Sequence, residues 1–188
     1  EIRVKGDIKP SEYNTIRNLL TILRKYLPIE RWDSAFSRFI ETMRTKLDEV
    51  RTLYNEKGIS NQQMKDLLDY SGSDEIRLKY NEKSWISCYE NDRQLKGYTC
   101  SLWLLFHALT VGEYTKIAPV RSKPTLVLTT MRDYIINFFG CTVCSSNFKK
   151  EARNLETEIQ ARNSSVLWLW NAHNHINQRL NNEKDVKL

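Results

Sequence analysis

The chain has 188 residues, 40% hydrophobic and 28% charged, with only 6 glycines and 4 prolines. That composition supports a packed core in one large domain or two small ones and excludes a low-complexity chain. The net charge of +6 is spread rather than clustered: residues 1–80 carry 15 basic and 13 acidic side chains, the remainder 14 and 10. This excludes the concentrated basic footprint of a nucleic-acid binder. No apolar run approaches the ~20 residues that cross a bilayer, and the longest, 102–109, is broken by His107.

The first half reads as successive helices. Pro10-Ser11-Glu12 opens the first, with Ser11 as cap and Ile16, Leu19, Leu20 and Leu23 at helical spacing; Pro28 closes it. From about Glu30 to Glu56, Trp32, Phe36, Phe39, Ile40, Met43, Leu47 and Val50 form the stripe of a buried helix face, and Gly58 ends the run. Ser60 caps a third helix with Met64, Leu67 and Leu68 inward. Ser71-Gly72-Ser73-Asp74 marks a break. Residues 1–80 contain no His or Cys, so a scaffold or docking role is expected there.

The second half begins near Ser84. Residues 100–114 form an apolar helix, and 125–139 form another with Leu128, Met131, Ile135 and Phe139 on one face and Gly140 as its C-terminal cap. A third starts after Cys141 and runs through Phe148 and Leu155. Asn163-Ser164-Ser165 caps a fourth, from Val166 to about Leu180. Hairpin signals are scarce, so the expected fold class is all-α.

All four cysteines, Cys88, Cys100, Cys141 and Cys144, lie in this half. One widely spaced pair and one Cys-x-x-Cys suggest a structural bridge and a redox or metal pair. A structural disulfide implies an oxidising compartment. At a helix N-terminus, the free N–H groups and positive dipole end favour thiolate over thiol. The same spacing serves zinc, which needs four ligands; His107, His173 and His175 are the candidates, but His173 and His175 point about 200° apart on a helix. Inert thiols are the third possibility.

On the last helix, Trp170, His173, Asn174 and Asn177 fall at i, i+3, i+4 and i+7. This stripe is neither aliphatic nor charged, and it suits stacking on a planar heterocycle with hydrogen bonds at its edges. Taken singly, each of these residues is more simply a packed Trp or a satisfied His. Trp103 and His107, at i and i+4, offer a second such face. Two aromatic–His faces beside a dithiol pair point to a planar redox cofactor, most economically a flavin. No Gly-x-Gly-x-x-Gly is present, which excludes the Rossmann motif.

The segments Lys-Gly-Tyr-Thr-Cys-Ser-Leu-Trp-Leu-Leu-Phe-His (96–107), Phe-Phe-Gly-Cys-Thr-Val-Cys (138–144) and Val-Leu-Trp-Leu-Trp-Asn-Ala-His-Asn-His-Ile-Asn (166–177) resemble the Erv/ALR-type FAD-binding sulfhydryl oxidase domain. The version in quiescin sulfhydryl oxidases is the most similar. The resemblance implies a four-helix flavin cradle with a short fifth helix over residues 84–188, preceded over 1–80 by a degenerate helix-rich domain of similar type. It implies catalytic Cys141, the distal cysteine that meets the incoming dithiol, and catalytic Cys144, the thiolate placed against the flavin. Lys96, Trp103, His107, Val143, Asn147, Trp170, His173, Asn174 and Asn177 would bind FAD, with no metal, and Cys88 and Cys100 would form the structural disulfide. Lys96 stands where an Arg is common and keeps the charge without the forked geometry; Asn147 stands where a His is common.

The implied activity is that of a flavoprotein oxidoreductase, a thiol oxidase that converts dithiols to disulfides and passes the electrons to O₂, giving H₂O₂. The implied partners are reduced secretory proteins and an upstream thioredoxin-type domain of a longer chain, this one being a fragment. The resemblance places it as a monomer in the Golgi, the ER or outside the cell, in oxidative protein folding. Two rivals belong to another class: a zinc-stabilised helical interaction module and a redox-inactive one.

Overall fold

Pro10 supplies the first helical position of α1 (Pro10–Tyr26), where its missing N–H costs nothing. The cap therefore falls on Lys9 rather than Ser11, and the Glu12 carboxylate accepts the Lys9 N–H at 3.0 Å. The computed structural model describes residues 7–27, 34–54, 58–70, 95–116, 125–161 and 163–185. Among these the fold is all-α, as expected. After α1 come α2 (Ser34–Tyr54), α3 (Asn61–Tyr70), α4 (Leu95–Lys116), α5 (Leu126–Phe138), α6 (Thr142–Glu151), the single turn α7 (Leu155–Glu158) and α8 (Ser164–Asp185). The only extended pairing among them is one antiparallel bridge, Ile8 to Ile59. Pro28, Trp32, the 71–74 break and the expected domain boundary near 80–84 lie outside the described residues.

Two further local expectations need correction. Gly140 does not cap α5: the C-cap is Phe139 in extended conformation, its N–H bonded to the Ile135 carbonyl. Among the described residues Gly58 alone has a positive φ, +77°. The helix expected from Cys141 through Leu155 breaks at Ala152–Asn154 into α6 and α7. Ala152 and Leu155 are both fully buried there, and a straight helix would carry the chain away from that contact. Ser60 does cap α3: its hydroxyl accepts the Gln63 N–H, and the Gln63 side chain accepts the Ser60 N–H at 2.8 Å.

α1 is buried on two sides. Its Tyr13, Arg17 and Arg24 side turns to α2, where Asp48 accepts from Tyr13 Oη and from Arg17 Nε, and Glu41 pairs with Arg24. Burial and the Asp48 carboxylate push the Tyr13 phenol up to about 12. The other side packs on α4 and α5, with Thr15 Oγ1 accepting from Asn137 Nδ2 at 3.0 Å. Ile22 and Tyr26 of α1 join Phe106, Leu109, Val127, Leu128 and Met131 in one contiguous core. The first half thus shares its core with the second instead of merely preceding it.

Two residues of α4 fix this junction. At Gly112 the backbones meet so closely that a Cβ would lie 2.0 Å from the Tyr26 carbonyl oxygen. An unhindered helical Gly→Ala change gains about 1 kcal/mol. Here Gly112→Ala should instead lose on the order of 2 kcal/mol through forced displacement of α1, read from a urea melt.

Glu113, fully buried, reaches across to the start of α5 and accepts the Val127 N–H at 3.3 Å and the Leu126 N–H. Thr125, at the N-cap, makes no side-chain cap bond, so Glu113 supplies one from another helix. Burial raises its pKa to about 7. The native state then holds a proton that the unfolded chain releases near 4.5, so stability falls as pH rises from about 4.5 to about 7. Glu113→Gln removes this dependence. The wild-type-minus-variant stability should decline by on the order of 2 kcal/mol across that window, measured by denaturant melts at a series of pH values.

Candidate functional site

The short link Phe139–Gly140–Cys141 joins α5 to α6 and places the cysteine pair. Cys141 is the N-cap of α6 in extended conformation, and its Sγ accepts the Cys144 N–H at 3.2 Å. The two sulfurs are joined, with an S–S distance of 2.04 Å and Cα atoms 5.2 Å apart. Ser145 Oγ donates to the Ile135 carbonyl oxygen at 2.9 Å, which ties the first turn of α6 to the last turn of α5. The disulfide therefore sits at a helix N-terminus, where a thiolate released on reduction is stabilised by the Cys144 N–H and the dipole.

Both cysteines open into a cleft of about 710 Å³ walled by α4, α5, α6 and α8, with α7 as a short fifth helix. Trp103 and His173 line it and stack in parallel, ring centres 4.1 Å apart and 2° between planes. Phe148 meets Trp103 edge-on at 6.3 Å and closes the floor. Behind His173, His107 Nε2 lies 3.2 Å from His173 Nδ1. Burial lowers both histidine pKa values, and for His107 the neighbouring His173 charge lowers it further. The pair is neutral at pH 7, one ring donating to the other.

Of the residues expected to bind a cofactor, Trp103, His173 and Asn177 line the cleft, and His107 supports His173. Trp170 is 59% exposed and Val143 69% exposed; neither lines the cleft, nor do Asn147 and Asn174. The side chain of Lys96 and all of Cys88 lie outside the described residues; Cys100 is disulfide-bonded. His175 faces the far side of α8, its Nδ1 3.2 Å from Glu151 Oε1.

Met131 and Phe139, expected as part of a core face, also line the cleft, as do Tyr98, Ile176 and Arg179, to which the sequence assigns no role. Phe148 was legible, since it follows Cys144 by one helical turn. On α8 the indole that joins the ring cluster is Trp168, edge-on to Phe148 at 6.4 Å, with its N–H donated to Glu158.

The fit to a planar cofactor can be judged from these walls. The volume lies within the ~300–1,000 Å³ of small-molecule and cofactor sites. The lining is largely apolar and aromatic, with Asn177 and Arg179 among its polar side chains. A three-ring heterocycle suits such a slot.

A disulfide on the first turn of a helix, opening into an aromatic slot between four helices, defines a helical dithiol–disulfide protein with a cofactor-sized cleft. Residues 100–187 match the Erv1 / Alr family. It is 30% identical over 168 residues to sulfhydryl oxidase 1 of Cavia porcellus, covering 88% of this chain and 26% of that protein. It is 29% identical over 185 residues to human sulfhydryl oxidase 2, covering 96% and 26%. The chain thus spans about a quarter of the length of these curated relatives. The sulfhydryl oxidase fragment of human QSOX1 is similar in structure, with a TM-score of 0.76 and 27% identity over 95% of this chain and 70% of that one.

The neutral histidine pair carries a pH signature. Because both folded pKa values lie below the ordinary 6.5, the unfolded chain takes up protons first as pH falls. The contribution of the pair to stability is therefore lost below about pH 6.5. A His107→Asn variant should show a shallower acid decline than wild type between about pH 6.5 and pH 5, read as the difference between their melting temperatures.

Proposed function

We propose that this chain is an FAD-dependent thiol oxidase module that converts paired thiols to disulfides and reduces O₂ to H₂O₂. The observation that carries the reading is the Cys141–Cys144 disulfide lining the same cleft as the Trp103–His173 stack. The match of residues 100–187 to the Erv1 / Alr family and likeness to sulfhydryl oxidases support it.

The cleft residues Trp103, His173 and Asn177 would hold the flavin, with His107 fixing the His173 ring. Trp170 and Asn174, on the neighbouring face of α8, together with Asn147 and Lys96, would extend the contact. The Val143 side chain is turned outward, which leaves its backbone for that role. When bound, the flavin supplies a two-electron acceptor that O₂ can reoxidise.

The chain's own residues carry the thiol chemistry. A substrate thiolate attacks Cys141 Sγ; a new S–S bond forms and Cys144 leaves as thiolate. The second substrate thiolate attacks the substrate sulfur of that mixed disulfide, releasing oxidised substrate and the Cys141 thiolate. The α6 N-terminus stabilises the released Cys141 thiolate through the Cys144 N–H. Cys144, in the first turn of α6, is held toward the cleft by the Ser145 bond to Ile135.

The zinc-stabilised reading loses its main support. The disulfide ties up both sulfurs that a metal would need as thiolates, and His107 and His173 are bonded to each other. Cys88 is the proposed partner of Cys100, and that bridge fits the oxidising compartment expected of a secretory or extracellular enzyme. Reduced secretory proteins and an upstream thioredoxin-type domain are the proposed dithiol donors. The proposed state is a monomer of two domains, with the helix-rich first half packed on the oxidase half.

Purified protein supplied with FAD should show a visible flavin band. Cys144→Ser should keep that band while dithiothreitol oxidation, followed as O₂ consumption, falls on the order of 10³-fold or more. Colourless protein after reconstitution, or wild-type turnover by the variant, would refute the assignment.

A further inference from the structure

We propose that the rim of the cleft around Cys141 docks the part of a protein substrate that carries its reducing cysteine, and that it selects flanks that are apolar and uncharged. Val143 is the side chain that meets them. This rests on the thiol-oxidase reading above.

Residues 134–148, fifteen in a row, carry no charged side chain in a chain that is 28% charged; Asp133 and Lys149 bound the stretch. At its centre Gly140, Cys141, Thr142, Val143 and Cys144 are all exposed. Val143 is the most exposed large apolar side chain among the described residues, at 69%. The cysteines on either side of it line the cleft and Val143 does not, so it stands on the solvent side of the active disulfide. Tyr98, 40% exposed, lies on the same rim with its ring stacked beside Phe139 at 6.1 Å. Among the described residues Arg179 is the one charged residue lining the cleft, and it belongs to α8 rather than to this segment.

The chemistry dictates what covers this surface. In the first exchange the incoming sulfur must come within bonding distance of Cys141 Sγ as the Cys141–Cys144 bond breaks and Cys144 leaves as thiolate. The residues flanking that sulfur are then brought down on the exposed side chains around Cys141. An apolar flank removes Val143 and its own surface from water, which is favourable. A charged flank loses hydration and finds no opposite charge on segment 134–148 to replace it. Selection is therefore by apolar contact, with little dependence on salt.

The test uses three reductants of the Cys141–Cys144 disulfide in the intact chain: dithiothreitol, and two peptides with the same cysteine spacing flanked by Leu and Val or by Ser and Asp. Single-turnover reduction is followed by thiol trapping, which needs neither flavin nor O₂. The apolar-flanked peptide should react about three- to tenfold faster than the polar one, with the ratio preserved from low to high salt. In Val143→Thr, which keeps the branched shape, the ratio of the two peptides should fall toward one, each rate being normalised to dithiothreitol with the same protein. Equal or reversed peptide rates in wild type would overturn the docking proposal, as would a ratio untouched by Val143→Thr. So would a disulfide reduced by dithiothreitol but by neither peptide. A disulfide inert even to dithiothreitol would instead remove the oxidase reading itself.

Discussion

The junction between the end of α5 and the start of α6 is the constraint on which the site depends. Only Phe139, Gly140 and Cys141 separate the two helices, so the axis of α5 sets where the disulfide lies. Two bonds leave it little freedom: Cys141 caps its own helix through the Cys144 N–H, and Ser145 reaches back to the Ile135 carbonyl. The position of α5 is set in turn along its whole length. Glu113 holds its first N–H groups, α1 packs along its side, and Asn137 bonds Thr15. The helix-rich first half thus helps to place a disulfide to which it contributes no atom.

The interior of the cleft follows from a second constraint, the partial burial of two imidazoles. A protonated His107 or His173 would be a charge beside the Trp103 ring and partly stripped of water, and both pKa values move down accordingly. Kept neutral, the pair shares one proton between Nε2 and Nδ1. The His173 ring is then free to lie flat on Trp103. The slot is consequently lined mainly by apolar and aromatic side chains, with few polar ones such as Asn177 and Arg179, a lining that suits a flat, largely apolar body.

Much of this was legible in the residues. Cys-Thr-Val-Cys, Trp103 with His107, and His173 with Asn177 are chemically conspicuous, and helical spacing assigns each to a face. What spacing could not supply was the rotation of one helix against another. Trp170 and Asn174 share a stripe with His173, yet packing turns them outward, while Trp168 meets Phe148. The roles of Gly112 and Glu113 are invisible in one dimension, because a glycine inside an apolar helix and a lone glutamate acquire meaning only from the Tyr26 carbonyl and the start of α5 opposite them. The break at Ala152 carries no Pro or Gly; two buried side chains, not local propensity, end the helix there.

In the proposed reaction the disulfide serves two reactants, so it cannot be buried on both sides. Cys141 and Cys144 are exposed and line the cleft at once, so the same bond is reachable from solvent and from the slot. That double access limits the surrounding sequence. A charged side chain turned into the slot would lie against aromatic rings without hydration. One turned outward beside Cys141 would attract or repel each incoming thiolate before any contact formed. The absence of charge from Tyr134 to Phe148 meets both conditions with one segment, and it leaves recognition on the solvent side to shape and apolar area. Thiol–disulfide exchange then needs only what the α6 N-terminus already provides, an N–H aimed at sulfur at the end of a helix dipole.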